Sequence, residues 1–211
     1  MNEKILQAIK QARDTKKRNF KQTFALAINL RNLDLKKPEN KIKAEIALPH
    51  GLGKIAKIGI IADVLIGQAK DLDNVILIRK DELDDYGRNK KLVKKLANEC
   101  RCFVAESTLM PLIGKNLGQI LAPRNMMPRP IPQNANLKQA VENSRSLIRV
   151  ALKDSPVINT PVGTEDMADE KIAENMEKII TTVIELLPKG KENIKNFAVK
   201  LTMGKAVKFE M

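Results

Sequence analysis

The stretch "QTFALAINLR", residues 22–31, alternates without a break: Phe24, Leu26, Ile28 and Leu30 fall on one side, and Thr23, Ala25, Ala27 and Asn29 on the other. A period of two with apolar residues on one side only predicts a strand with one face in a core and the other open. Far along the chain "NFAVKLTMG", 196–204, repeats the pattern, with Phe197, Val199, Leu201 and Met203 opposite Asn196, Ala198, Lys200 and Thr202. "KIKAEIAL", 41–48, alternates again through Ile42, Ala44, Ile46 and Leu48.

Between these ends the character changes. "IAKIGII" (55–61), "NVILI" (74–78) and "RCFVA" (101–105) are short, nearly continuous apolar runs, as in parallel strands covered on both faces. Helical candidates lie between them, near 64–71 and 89–99. Outside this middle region, residues 3–15 carry Ile5, Leu6, Ile9 and Ala12 at helical spacing, and "SLIRVALK" (146–153) is strand-like. Residues 166–190 place Ile172, Met176, Ile179, Ile180, Val183 and Leu187 on one helical stripe. Acidic residues fill the first turns of that helix, and Pro188 and Gly190 end it. The expected architecture is a split α+β domain, 1–51 and 147–211, whose antiparallel sheet carries helices. An α/β Rossmann-like three-layer domain, 52–146, is inserted into it.

The 211 residues carry a formal charge of +13, and 30% of them are charged. An excess of this size points to an acidic polymer as partner. It is unevenly spread: residues 1–51 are net +7, 52–146 net +6 and 147–211 neutral. With no Trp, one Tyr and five Phe, base stacking on aromatic platforms is excluded as the main mode of recognition. Contacts to phosphate, sugar and backbone of a folded nucleic acid remain. No run of about eighteen apolar residues exists, so no membrane partner is expected.

The middle region invites a second reading, a nucleotide-dependent enzyme using the inserted βαβ domain. It has neither a G-x-G-x-x-G nor a Walker order; "GLGKIAKIG" (51–59) fits a hinge better, with His50, Gly51 and Gly53 as its pivots. His50 is the only histidine, and Cys100 and Cys102 form C-x-C, too few donors for a four-ligand zinc site. No enzyme activity, metal or cofactor is expected. "DELDD" (81–85) reads as solvated surface, and Arg88, Lys90, Lys91, Lys94 and Lys95 lie along a helix whose Leu92, Val93 and Leu96 face inward. "MPLIGKNLGQILAPRNMMPRP" (110–130) reads as a Gly-interrupted helical region followed by a Pro-stiffened loop presenting Arg124 and Arg129.

"STLMPLIGKNLGQILAPRNMMPRP", "LPHGLGK", "PVGTEDM" and "KLTMG" together resemble the family of the first protein in the large-ribosomal-subunit numbering, and "NLRNLDLKKPENKI" resembles its archaeal branch. The family loop usually reads L-G-P-R-G-K-M-P where this chain has "LAPRNMMP", so Asn125 stands at a glycine position. In the last strand Asn196, Ala198 and Lys205 replace the usual serine, tyrosine and proline.

The resemblance implies a cytoplasmic, ribosome-bound protein, a monomer when free, that binds large-subunit rRNA in the mobile stalk beside the tRNA exit site. It implies help in releasing deacylated exit-site tRNA, and repression of translation through the protein's own mRNA. Carried over by position, the RNA-binding residues are Arg18, Phe20, Gln22, Thr23, Asn196, Lys200, Thr202, Met203 and Gly204. Lys115, Arg124 and Arg129 are the implied secondary RNA or tRNA contacts. Thr23, Asn196, Lys200 and Thr202 also fall on the polar side of their strands by periodicity alone, and the Thr202 hydroxyl is expected to face RNA.

Overall fold

The computed structural model describes residues 2–210 except 17, 36–39, 41, 54–55, 64, 70–71 and 153–154. Lys41, Ile55 and Lys153, at the ends of three expected strands, and Val64, Lys70 and Asp71 of the expected 64–71 helix lie outside the described residues. The chain forms two compact units, one from Met1–Lys54 with Ser146–Met211, the other from Ile55–Arg145.

In the first unit, β1 (Thr23–Leu30) lies between two strands that follow more than a hundred residues later, β8 (Val157–Thr164) and β9 (Ile194–Leu201). A short β10 (Val207–Phe209) completes the antiparallel order β10-β9-β1-β8. The alternation in β1 is obeyed residue by residue: Phe24, Leu26, Ile28 and Leu30 are buried and the residues between them half-buried. Phe197, Val199 and Leu201 join the same side from β9, and Phe197 stacks on Phe209 at 5.4 Å. Helices α1 (Asn2–Arg13) and α8 (Asp169–Leu186) bury Ile5, Ile9 and Ala12, and Ile172, Met176, Ile179, Ile180 and Val183, in that same core. A two-stranded antiparallel sheet of β2 (Lys43–Ala47) and β7 (Leu147–Ala151) closes it with Ile46, Ile148 and Val150.

His50, Gly51 and Gly53 belong to this unit and are fastened to it. The buried Asn175 amide of α8 donates to Gly51 O (2.8 Å) and Val162 O (2.9 Å) and accepts from His50 N (3.2 Å). The His50 ring meets the Glu174 carboxylate at 2.5 Å. Gly53 adopts φ +69°, and a Cβ there would come within 2.7 Å of Met167 and Thr164, so both backbone conformation and packing demand glycine. The segment therefore has a fixed end on α8.

The second unit is a parallel sheet, order β4-β3-β5-β6, of β3 (Lys57–Ile61), β4 (Val75–Ile78), β5 (Cys100–Glu106) and β6 (Arg129–Ile131). Separate apolar clusters cover its two faces. One packs Ile61, Ile78 and Phe103 against α3 (Glu82–Arg88), α4 (Lys90–Glu99), α5 (Met110–Asn116) and α6 (Gly118–Leu121). The other packs Ile58, Ile60 and Val104 against α2 (Ile66–Ala69) and α7 (Leu137–Ser146). Burial on both faces accounts for the unbroken apolar runs of β3 and β5. Gly59 is the one gap in β3; a Cβ there would sit 2.3 Å from the Phe103 ring, so the ring lies directly against the strand backbone.

"DELDD" lies on the solvated surface as expected, at the acidic start of α3, with Leu83 buried beneath it. Acids at a helix start are favoured by its dipole. Val93 and Leu96 of α4 face inward as expected, but Leu92 is 45% exposed: it lies at the edge of the buried stripe of Val93, Leu96 and Ala97. Glu106, at the end of β5, is buried with its Oε1 accepting from Asp63 N (3.0 Å) and Leu65 N (2.8 Å), which fixes the loop after β3.

Candidate nucleic-acid interface

The strand register fixes a second face on the sheet of the first unit, opposite the helices. Across it run the rows Pro161–Ala25–Lys200, Asn159–Ala27–Ala198–Lys208 and Val157–Asn29–Asn196. Three alanines give a low floor that another backbone can approach closely, and amides and lysines supply donors around it. Asn29 Nδ2 donates to Asn196 Oδ1 across the ladder at 2.5 Å. Asn196 is thus oriented before any ligand arrives.

At the β9 end of this face the chain turns through Thr202, Met203 and Gly204, closed by Gly204 N donating to Leu201 O at 3.0 Å. The Thr202 hydroxyl accepts from Thr23 N (3.1 Å) and lies 3.3 Å from Thr23 O. It is therefore engaged with the backbone of β1, not waiting for RNA as the alternation alone suggests. The physical reason is position: past Leu201 the ladder has ended, and the hydroxyl replaces the missing main-chain partner.

Gln22 also differs from its expected role. It is 1% exposed, its Oε1 accepts from Met203 N at 3.2 Å, and its own N and O bond to Glu165. Gln22 positions the turn and does not itself face outward. Gly204 carries an intramolecular demand as well, since a Cβ there would lie 3.2 Å from Leu201 Cβ and 3.4 Å from Thr15.

Two large apolar side chains stand out at this end: Phe20 is 49% exposed and Met203 65%. The usual fate of a Phe at a strand entrance is burial, and its exposure here leaves apolar surface for a partner. Arg18 and Lys200 are exposed too. Of the residues singled out from sequence, the structure gathers Thr23, Thr202, Met203 and Gly204 at one end of the sheet. Gln22 stands beneath them, Lys200 beside them on the open face, and Asn196 at the far end of β9.

Sequence reasoning missed Arg13, the clamp behind this end. Its Nε and Nη2 donate to Asp169 Oδ1 (3.0 and 2.6 Å), Nη1 to Glu165 O (2.6 Å) and Nη2 to Met167 O (3.0 Å). Its guanidinium also lies over the Phe24 ring at 5.3 Å. One side chain thereby joins α1, β1 and the 165–169 loop that supports Gln22. An exposed pair of Lys21 with Asp166 (2.6 Å) flanks it, and the hydrogen bond to Asp166 raises the Lys21 pKa. No local pattern marks an arginine at a helix end for this role; only its nonlocal partners do.

In the second unit, Lys115 is exposed on α5 and Arg124 is exposed with Nη1 donating to Asn98 Oδ1 (2.7 Å), while Arg129 lies in β6, paired with Val104 of β5. Asn125 adopts φ +56°, the left-handed conformation that asparagine tolerates best after glycine. This explains how it replaces a glycine between Arg124 and Met126.

The model of the Ribosomal protein L1p/L10e family matches residues 10–205. The chain belongs to this family. It is 43% identical to "Large ribosomal subunit protein uL1" of Methanothermobacter thermautotrophicus over 99% of both chains. It is 45% identical to the protein of the same name from Methanothermococcus thermolithotrophicus, covering 99% of this chain and 98% of the other. The Thermococcus kodakarensis protein of that name is 42% identical over 99% and 97%. Family membership of the archaeal type makes the chain a structural ribosomal protein and not an enzyme. Among the described residues, no helix is long and apolar enough to cross a membrane.

Proposed function

We propose that this ribosomal protein grips a folded region of large-subunit rRNA with the Thr202–Gly204 end of the β1–β9 sheet, and so helps to build the mobile stalk beside the tRNA exit site. The observation that carries the reading is the pair of exposed apolar side chains, Phe20 and Met203, flanking a preorganised polar turn beside an open face with Lys200. Thr23, Asn196 and the main chain of the turn supply contacts to 2′-hydroxyls, Arg18 and Lys200 contact phosphates, and Gln22 holds the turn. In this reading the chain is a split RNA-binding domain (1–51 and 147–211) carrying an inserted Rossmann-like domain (52–146), with His50, Gly51 and Gly53 as hinge. It is a monomer when free.

The same reading gives the inserted domain a role toward departing tRNA through Lys115, Arg124 and Arg129, assisting release of deacylated tRNA. It makes the protein's own mRNA, through a site imitating the rRNA, a second ligand and a means of repression. Support for these roles is the family resemblance together with the basic charge of both regions. Nuclease footprinting of the free protein on an rRNA stalk fragment and on its own message tests the reading. Protection of one compact site in each, moved to severalfold higher protein concentration by Met203→Ala, is expected; unspecific protection would refute it.

A further inference from the structure

The far end of β9, about 20 Å from Met203 at roughly 3.3 Å per residue, carries a feature that the turn does not explain. A concavity of about 280 Å³ opens there, lined by Arg31, Lys191, Ile194, Lys195, Asn196, Phe197 and Glu210. Three of its groups are cations and one is an acid. They come from three places in the chain that the fold brings together: the residue after β1, the 3-10 turn Gly190–Asn193 with the start of β9, and the segment after β10.

The wall is rigid. Asn193, 1% exposed, accepts from Lys189 N (2.9 Å) through Oδ1 and donates through Nδ2 to Arg31 O (3.2 Å) and Asn32 O (3.4 Å). Arg31 N returns a bond to Asn193 O (2.7 Å), and Arg31 Nε donates to Glu192 O (3.0 Å), which sets the plane of the guanidinium. One buried amide therefore fastens the turn bearing Lys191 to the strand end bearing Arg31.

The register adds a second device. Asn29 pairs with Asn196 and Leu30 with Ile194, so Lys195 is the extra residue of a bulge. Bulges re-aim side chains beside functional sites. Here the bulged lysine is exposed at the mouth of the concavity while Ile194 and Phe197 stay in its floor.

We infer that this concavity is an anion subsite that takes a backbone phosphate of the bound RNA, at the opposite end of β9 from the Thr202–Gly204 turn. The inference rests on the reading that the β1–β9 face binds RNA, and it extends that footprint along the strand past Asn196. A fixed guanidinium and two lysines on a preorganised wall suit a phosphodiester, whose charge is satisfied without ordering a loop. Glu210 at the rim weakens the site and so tunes it.

The test measures affinity for an rRNA stalk fragment against salt for the wild type, Lys191→Gln, Lys195→Gln and their double variant. The control is Lys171→Gln with Lys178→Gln on α8, which removes the same charge from the helical side of the unit. The double variant is expected to lower the slope of log affinity against log salt by about one unit, the share of a single phosphate, with each single variant lowering it by less, and each to weaken binding severalfold. Glu210→Gln is expected to tighten binding, and protection of the RNA should be lost at one edge of the footprint only. An unchanged slope in the double variant, or an equal fall in the α8 control, overturns the subsite. Wild-type protein that shows no specific footprint overturns the interface itself, and the subsite with it. Coincident melting curves for all variants establish that the comparison is between folded proteins.

Discussion

One hydroxyl serves a single residue twice: Thr202 Oγ1 lies 3.1 Å from Thr23 N and 3.3 Å from Thr23 O, although the two residues are 179 positions apart. The bond ends the ladder between β1 and β9 and fixes the direction in which Met203 leaves the strand. Thr202→Val keeps the shape and β-branching and deletes the hydroxyl. It is expected to cost ~1 kcal/mol of stability, since water reaches the exposed Thr23 amide and replaces part of the loss. RNA affinity should fall about tenfold because the turn is no longer preorganised, while the salt slope stays constant. Thr202→Ser restores both quantities if the hydroxyl is the cause. Urea unfolding and filter binding on the three proteins decide it.

Phe20 and Met203 make the opposite prediction. Phe20 is half exposed and Met203 largely so, and Phe20→Ala and Met203→Ala should change the unfolding free energy by no more than about 0.5 kcal/mol. Binding should suffer. Covering the exposed part of each side chain with RNA removes apolar surface worth roughly 1–2 kcal/mol, so each substitution is expected to weaken the complex by about fivefold to thirtyfold. Normal RNA affinity in either variant would move the interface away from this end of the sheet.

Asn175 links a helix, a strand and the glycine segment through one buried amide. Asn175→Leu is nearly isosteric but satisfies none of the three backbone groups, two of them carbonyls and one an amide. Roughly 3 kcal/mol of destabilisation is expected from the unpaired groups. Asn175→Asp should be no better, since a carboxylate cannot donate to Gly51 O or Val162 O. Chemical denaturation followed by circular dichroism measures both; a loss below ~1 kcal/mol would show that the segment finds other partners.

Cys100 is buried at the start of β5, and burial first, then the neighbouring Glu99 carboxylate, pushes its thiol up to about 11. The folded protein therefore holds the proton more tightly than the unfolded chain, whose thiol ionises near its ordinary value of 9. Between about pH 9 and 11 the unfolded state binds fewer protons, so stability falls as pH rises, by up to ~1.4 kcal/mol per pH unit from this group. Below pH 9 it contributes no slope. Cys100→Ala should consequently show a shallower alkaline loss than the wild type, and the difference between the two is the quantity to measure. Parallel curves would mean that the thiol is not kept neutral by the fold.

The alternating strands were legible because one face of β1 and β9 is buried and the other is not, and a period of two survives in the residues. The parallel strands were legible for the opposite reason, burial on both sides. Strand β8 was not: "VINTPVGT" carries Pro161, Gly163 and three polar residues, yet Thr160 and Thr164 are buried, and a bulge between Phe24 and Ala25 accommodates it against β1. Helix α7 and the three-residue β10 also carry too few apolar positions to announce themselves. At the candidate site, periodicity found Thr23, Asn196 and Lys200, while the family resemblance added Phe20, Met203 and Gly204. Neither signal distinguishes a side chain that faces outward from one that holds another in place. Gln22 and Thr202 share polarity and neighbourhood with the exposed residues, and their backbone partners appear only once segments far apart in sequence are brought together. Arg13 and Asn193 escaped for the same reason.

The placement of β1 between β8 and β9 also sets a timetable for synthesis. When β1 leaves the translating ribosome, neither neighbour exists, and at about 5–20 residues per second β8 follows roughly ten seconds later. The parallel sheet of residues 55–145 uses only contiguous chain and is complete in the meantime. Until α8 and β9 arrive, the apolar side of β1 has only α1 to cover it and the strand's edges lack a lasting partner, which leaves the nascent chain dependent on whatever shields Phe24, Leu26 and Ile28. The turn that follows β9 is made later still. A truncated product therefore carries the parallel sheet without the Thr202–Gly204 end, and only full-length molecules present the surface proposed to hold RNA.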